Sequence, residues 1–400
     1  MLFYSIGIRT YALLVAVASI FNPKAKLWLN GRKNWRDKLP KTDKDVVWFH
    51  AASLGEFEQG RPIIEDYKKE HPEAFILLTF FSPSGYEIRK NYEGADYICY
   101  LPLDTKKNAK DFLAHFQPKT VFFIKYEFWL RYIFEAKKQG SKLYVISALF
   151  RENQRFFKWY GNNFRKALNQ FDQFFVQNQK SATLLESIGI TKYKITGDTR
   201  YDRVMENARK VKSISKIENW LQGEKALIIG SSWKADEEIL APFINENYGG
   251  KVILASHEVG EERTHEILKT FSLKSQRYTE LGEEINTDTQ LLVIDCIGIL
   301  ANVYQYGKMA YVGGGFGTGL HNILEPSAFG LPVVFGPIHK KFPEAQIHID
   351  QGIAFSVSTT EELQRSFENI SENLEVLKSS CLSFMKESTG AREIIKGFVA

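Results

Sequence analysis

A chain of 400 residues, 44% hydrophobic and 25% charged, is long enough for two domains, each with an ordinary buried core. Its formal net charge of +5 is unevenly spread: residues 1–40 hold seven cations against Asp37 alone, and the remaining 360 residues sum to −1, which excludes a nucleic-acid-binding body. Three widely separated cysteines, Cys99, Cys296 and Cys381, lack metal-ligand spacing; they point to a reducing compartment and to small buried apolar roles rather than catalytic thiols.

Residues 2–21, LFYSIGIRTYALLVAVASIF, approach the length of apolar helix that crosses a bilayer, and a basic stretch with Trp28 and Trp35 follows from Lys24 to Lys38. Tryptophans and cations together suit a cytoplasmic membrane interface. Arg9 opposes a full span, at about 2.5–3.5 kcal/mol for a helix centre unless it snorkels. A cleaved signal peptide is disfavoured, because the positive charge follows the apolar run and no small-residue cleavage site is evident. The expectation is an anchored or monotopic helix contacting membrane lipids, with a core helix of a soluble domain as the alternative.

After Pro40, strands are predicted at 46–50, 75–80, 97–100, 121–125, 143–147 and 174–176, with helices such as 61–70, 107–116, 129–139 and 154–168 between them. Apolar strands separated by helical crossovers mean a parallel sheet covered on both faces. The first strand runs into HAASLGEFEQGRP, where Ser53, Gly55 and Glu56 occupy the strand-to-helix turn at which doubly wound sheets place reactive groups. Glu56 reads either as a reactive carboxylate or as an acid favoured by the helix dipole. Its neighbour Glu58 is expected to face solvent. Glu127, in FFIKYEFWLRYI, follows the fourth strand and reads as a second site carboxylate or an ordinary helix-start acid. Two carboxylates from separate strand ends of one sheet can converge on one cleft. The lone DxD, Asp43-Lys44-Asp45, precedes the first strand and reads as a solvated turn, so no metal site is predicted.

A polar helix over 201–212 and a linker over 213–223 lead to a second set of strands, at 226–230, 252–255, 291–294, 309–312 and 333–335. Helices are expected near 236–247, 260–273, 297–305, 321–329, 344–351, 360–376 and 380–399, the last packing back on the first domain. Residues 308–337, KMAYVGGGFGTGLHNILEPSAFGLPVVFGP, are the most informative stretch. A strand breaks into Gly313, Gly314, Gly315, Gly317 and Gly319, and a helix starts near His321. Such glycines let backbone N–H groups approach a ligand, and a helix start adds unpaired donors. Glu325, one turn in, can accept from two adjacent ribose hydroxyls. The spacing is neither Walker A nor GxGxxG. A glycine loop with a helical glutamate late in the chain suits a nucleotide-sugar glycosyltransferase with two Rossmann-like domains.

The chain resembles the 3-deoxy-D-manno-octulosonic acid (Kdo) transferases of lipopolysaccharide synthesis. The resemblance is carried in order by GRKNW, HAASLGE, KYEFW, GDTRYDRV, GSSW with a following DEE, DCIGIL and HNILEPSAFGLPVVFGP. It implies an α/β fold of GT-B architecture, two Rossmann-like domains facing a cleft, behind an N-terminal membrane-anchor helix. Residues 1–40 would be the anchor and basic segment, 41–212 the acceptor domain, 224–379 the nucleotide-sugar domain and 380–400 the returning helix. It further implies inverting transfer of Kdo from CMP-Kdo to a lipid A precursor at the cytoplasmic face of the inner membrane, with no cofactor and no metal. Glu56 would be the general base and Glu127 a second essential acid, with Ser53 and Gly55 on the acceptor side. Gly314, Gly315, His257, Asn322 and Glu325 would hold the CMP portion.

Two positions depart from the family pattern: Ser256 stands where an arginine usually precedes the histidine, and Ile299 replaces a glutamate. Lys234, Arg263 or the Lys340–Lys341 pair are candidates to replace the missing cation. His257 reads equally as a phosphate donor or a packed core residue. Rival readings are a UDP-sugar transferase acting on a lipid carrier, a sugar epimerase, and a non-catalytic membrane-tethered nucleotide-binding module.

Overall fold

The apolar runs form two seven-stranded, wholly parallel sheets in a computed structural model that describes residues 1–282, 285–317 and 319–399. The chain divides into one unit of residues Met1–Asp202 plus the segment from Thr389, and a second of Arg203–Ser388. In the first unit the strands are β1 (Val46–Ala51), β2 (Phe75–Phe80), β3 (Tyr97–Tyr100), β4 (Thr120–Ile124), β5 (Lys142–Ala148), β6 (Gln173–Val176) and β7 (Tyr193–Ile195). Their order is β3-β2-β1-β4-β5-β6-β7, so the winding reverses between β1 and β4. β1 and β2 are buried at every position because helices cover both faces. Trp48, Leu77, Phe123 and Val145 pack on one side with Phe112 and Tyr132, and Phe49, Ile76, Phe122 and Ile146 on the other with Phe57 and Ile64.

The second unit holds β8 (Ala226–Ser232), β9 (Val252–Ser256), β10 (Ser275–Arg277), β11 (Leu291–Val293), β12 (Gly307–Val312), β13 (Val333–Phe335) and β14 (Ala354–Ser356). Their order is β10-β11-β9-β8-β12-β13-β14, and the winding reverses between β8 and β12. Open parallel sheets bind ligands beyond the carboxyl ends of the strands at such reversals.

Several expectations need correction. The edge strands β7, β10 and β14 escape sequence reading because they are three residues long and β7 and β10 carry polar side chains. The helix expected over 154–168 is a 3-10 turn, Arg155–Phe157, and a helix, Asn162–Leu168, broken at Gly161. The linker expected over 213–223 contains a helix, Ser215–Leu221, whose Trp220 is fully buried and donates to Thr289 over 2.8 Å. The final stretch is two helices, Leu374–Glu387 and Ala391–Val399. In the latter, Arg392 pairs with Asp66 at 2.5 Å and Ile395 is buried in the first unit's core. Cys99 and Cys296 are half-buried rather than buried, while burial pushes the Cys99 and Cys381 thiols up to about 12, away from nucleophilic use.

The N-terminal segment forms a helix, Leu2–Ala18, of 17 residues, and among the described residues no helix is long and apolar enough to cross a membrane. A spanning anchor is therefore unsupported. One face of the helix is polar and tied to the first unit. The Tyr4 hydroxyl donates to Asp104, Arg131 donates to the Ser5 hydroxyl, and Tyr11 packs edge-on to Trp28 at 5.8 Å. Arg32 does not belong to a lipid-facing cationic patch. Its guanidinium donates to the carbonyls of Leu101, Trp28 and Phe81 at 2.7–3.0 Å, and burial lowers its pKa to about 9.

Candidate active site

β1 ends at Ala51 and the helix Leu54–Glu70 begins three residues later, which puts Glu56 in its first turn and 7% exposed. The Ser53 hydroxyl donates to Glu56 Oε2, so Ser53 orients the carboxylate instead of capping the backbone. Gly55 is exposed, and no protein atom would crowd a Cβ there. Glu58 is not simply solvated: Arg89 holds it at 2.9 Å. The helix is fixed from behind by the GDTR segment, where Gln59 donates to Asp198 at 3.0 Å and the Thr199 hydroxyl donates to the Gln59 carbonyl at 2.5 Å. Burial alone would raise the Asp198 carboxyl, but Arg200 and Gln59 hold it below its ordinary range.

Glu127 follows β4, the other strand at the reversal, and is half-buried. Burial first, and then the charge of Glu56, push its carboxyl up to about 7. The structure thus brings Glu56 and Glu127 within electrostatic reach at one switch point, with different environments for the two acids. Lys125, two residues earlier, has φ +69°, and Ser147 at the end of β5 has φ +50°. Non-glycine residues adopt this left-handed region at a cost of roughly 1–2 kcal/mol, and at Ser147 it coincides with a register shift in the pairing of β5 with β6.

A hydrogen-bond chain that sequence reading missed supports this edge. Trp129 Nε1 donates to His50 Nε2 at 2.9 Å, and His50 Nδ1 meets the Thr79 hydroxyl at 2.8 Å. An indole only donates, so Nε2 is the acceptor and the imidazole carries its proton on Nδ1. Burial lowers the pKa of His50 to about 3, which keeps it neutral. His50 therefore positions Trp129, two residues beyond Glu127, and Trp129 in turn stacks on Phe81 at 4.5 Å.

In the second unit the glycine loop leaves β12 beside the end of β8. Gly314 has φ +93°, and its N–H donates to the buried Asp236 at 2.9 Å; the same carboxylate accepts from Tyr311 and from the Trp233 backbone. Gly314 thus serves the turn, and its N–H is not offered to a ligand. A Cβ at Gly313 would collide with the backbone of Ser231 and Ser232, so close loop packing requires that glycine. The helix expected from His321 is only Leu324–Ala328, so the predicted helix-start contribution to anion binding falls away. Asn322 precedes it, its Oδ1 accepting from Leu324 N at 3.1 Å and its amide donating to Glu325 at 3.0 Å. Burial raises the Glu325 carboxyl, while Asn322 and Arg203 oppose that shift.

His257 is exposed and stacks on Trp233 and on His321, each at 4.5 Å between ring centroids, which removes the packed-core alternative. Trp233 Nε1 donates to His321 Nε2 at 3.0 Å, and burial followed by the His257 charge lowers His321 to about 4. By the same donor logic His321 is neutral and carries its proton on Nδ1, a donor with no partner among the described residues. Arg263 is engaged by Glu237 at 2.5 Å and Glu266 at 3.1 Å, so it does not replace the cation missing at Ser256. Lys234, Lys340 and Lys341 are exposed. Among the described residues no cluster of three or more His, Cys, Asp or Glu side chains is arranged to hold a metal ion.

Residues 29–203 match the family model of the 3-deoxy-D-manno-octulosonic-acid transferases. Over those residues the chain is similar to that family. Kdo transferases related to the chain include those of Chlamydophila psittaci (29% identical, over 73% of this chain and 69% of the relative), Aquifex aeolicus (28%, 81% and 85%) and Haemophilus influenzae (26%, 94% and 92%). Of solved structures, the UDP-GlcNAc 2-epimerase of Neisseria meningitidis bound to UDP-GlcNAc superposes with a TM-score of 0.61 at 16% identity, covering 88% of this chain and 99% of its own. A further UDP-N-acetylglucosamine 2-epimerase does so with a TM-score of 0.58 at 12% identity, covering 86% and 91%. At such identities the likeness is one of fold. The first unit carries Ser53, Gly55, Glu56 and Glu127 together at one strand reversal. Gly314, Gly315, His257 and Asn322 lie on the loops of the second sheet, and Glu325 in the short helix Leu324–Ala328. Sequence reading missed His50, Trp129, Trp233, Asp236 and His321. A signal was present for all five: His50 opens HAASLGE, Trp129 closes KYEFW, Trp233 closes GSSW, Asp236 opens the following DEE and His321 opens HNILEP.

Proposed function

We propose that the protein moves Kdo from CMP-Kdo to a hydroxyl of a lipid A precursor, with inversion, at the surface of the inner membrane. The carrying observation is the Glu56–Glu127 pair at the switch point of a Kdo-transferase domain, one acid oriented by Ser53 and the other raised to about 7. Paired carboxylates in unequal environments divide acid and base roles. The acceptor oxygen attacks the anomeric carbon of Kdo, CMP departs with the electron pair of the old bond, and the hydroxyl proton passes to Glu56. Neutral Glu127 donates a hydrogen bond that orients the acceptor. On the donor side, Glu325 and Asn322 hold the cytidine ribose, while the His321 Nδ1–H and the Gly315 backbone face the phosphate. Fixed donors aimed at a developing anion lower its energy without a metal.

Membrane association is proposed through the exposed apolar side chains of the N-terminal helix, among them Leu2, Phe3, Ile6, Leu13, Leu14 and Val17, lying on the bilayer rather than through it. The helix lies beside the proposed acceptor site: Tyr11 packs on Phe81 at 6.0 Å, and burial first, with the charge of Glu127 adding to it, raises the Tyr11 pKa against the opposing effect of Arg32. A lipid acceptor would then reach Glu56 from the membrane plane.

The test is ligand-induced stabilisation followed by turnover. CMP at 100 times its dissociation constant should add about 2.7 kcal/mol, Glu325→Ala should weaken that effect, and transfer should survive EDTA. Equal protection by UDP would overturn the donor assignment and favour an epimerase-like reading, and inhibition by EDTA that magnesium reverses would overturn the metal-free scheme.

A further inference from the structure

Trp159 is 90% exposed and Tyr160 56% exposed, an unusual display of aromatic surface on a soluble face. The two rings meet edge-on at 5.5 Å. They do not sit on a loose loop. Arg165 Nη1 donates to the carbonyls of Phe156 and Lys158 at 3.0 and 2.8 Å, and the Gly161 N–H closes a turn onto Lys158 at 2.9 Å. A Cβ at Gly161 would strike the Arg155 carbonyl, so the turn is packed to its limit. The fold thus holds two large apolar rings out into solvent on a clamped tip.

The surroundings indicate what covers them. Residues 151–166 contain five cations against the single acid Glu152, and Lys180 already pairs with that acid at 3.2 Å. The tip follows β5, so it stands at the carboxyl edge that carries Glu56 and Glu127; Phe156 at its base packs on Phe128 at 5.5 Å. It is also next to the N-terminal helix, because Phe164 meets Tyr4 at 6.1 Å. Amphipathic aromatic rings ringed by cations, continuous with an exposed apolar helix, match the headgroup layer of an anionic bilayer.

We propose that the Trp159–Tyr160 tip is a second membrane-contacting element, entering the headgroup layer of an anionic bilayer beside the helix Leu2–Ala18. It rests on the membrane reading above. Two separated contacts fix the tilt of the first unit, where one helix alone would leave it free to roll, and so keep the carboxyl edge facing the lipid acceptor.

Co-sedimentation of the full chain with vesicles of phosphatidylethanolamine containing one quarter phosphatidylglycerol tests the idea, with phosphatidylcholine vesicles as reference. Trp159→Ala with Tyr160→Ala should lower affinity for the anionic vesicles about tenfold. Brominated lipid should quench the wild-type fluorescence more than that of Trp159→Phe, a variant that keeps the tip's bulk and guards against misfolding. If Leu13→Gln with Leu14→Gln weakens binding while the tip variants bind and quench as the wild type does, the tip proposal is overturned and the helix reading stands. If the wild type binds neither vesicle, the membrane reading falls and the tip proposal with it. Loss of concentration-dependent self-association in the tip variant, with vesicle binding unchanged, would make the tip a contact between copies and overturn the proposal.

Discussion

The residue-scale question is what Glu56 and Glu127 each do. A base acts in the chemical step, so Glu56→Gln should lower kcat by about 10²–10⁴ with CMP affinity nearly unchanged. A mere helix-start acid would instead cost on the order of 1 kcal/mol in stability and little in rate. Steady-state kinetics and a melting curve on one preparation separate the two, and near-normal kcat in a destabilised variant would remove the catalytic role. Glu127 makes a different prediction, through pH. Its folded pKa of about 7 lies above the ordinary 4.5, so the fold favours the neutral acid. That stabilisation is complete below pH 4.5 and is lost as pH rises through about 7. Glu127→Gln should therefore raise the melting temperature at pH 8 and change it little at pH 4, and an equal effect at both pH values would show that the carboxyl is not perturbed.

At the scale of elements, the N-terminal helix has two faces with opposite consequences. Its inner face satisfies a buried acid: Asp104 is 1% exposed and accepts from Tyr4 and from the backbone of Arg131 and Tyr132. Tyr4→Phe should cost about 1–3 kcal/mol, because a buried acceptor loses a partner. Deleting residues 1–21 would remove that contact as well, so truncation confuses folding with membrane binding. The outer face is exposed, with Leu13 at 65% and Leu14 at 63%. Leu13→Gln with Leu14→Gln should leave stability within about 0.5 kcal/mol and lower vesicle affinity about tenfold or more; chemical denaturation and co-sedimentation check the two halves. The glycine loop shows the same division of labour. Asp236 spends the Gly314 N–H on holding the loop, so that N–H is not offered to a ligand.

Across the whole molecule, both sheets and their order of appearance were legible in the chain, since buried parallel strands are written as near-continuous apolar runs such as VVWFHA and FILLTF. The positions of Glu56 and Glu127 at strand ends were legible for the same reason: a strand end is a local event. The edge strands were not, because three polar residues become a strand only when a neighbouring strand offers its hydrogen bonds. The short helix at Leu324–Ala328 and the helix inside the expected linker also depended on packing, the second on burial of Trp220. The N-terminal helix marks the limit most clearly. Its sequence determined that it is helical and apolar, but whether it spans, lies flat or packs inward depends on what Tyr4, Ser5 and Tyr11 find opposite them. Hydrogen bonds between residues far apart in sequence, Trp129 to His50 and Trp233 to His321, fix tautomers and so decide which nitrogen can donate. No local pattern encodes that choice; it arises only when the fold brings an indole that can only donate against an imidazole that can do either.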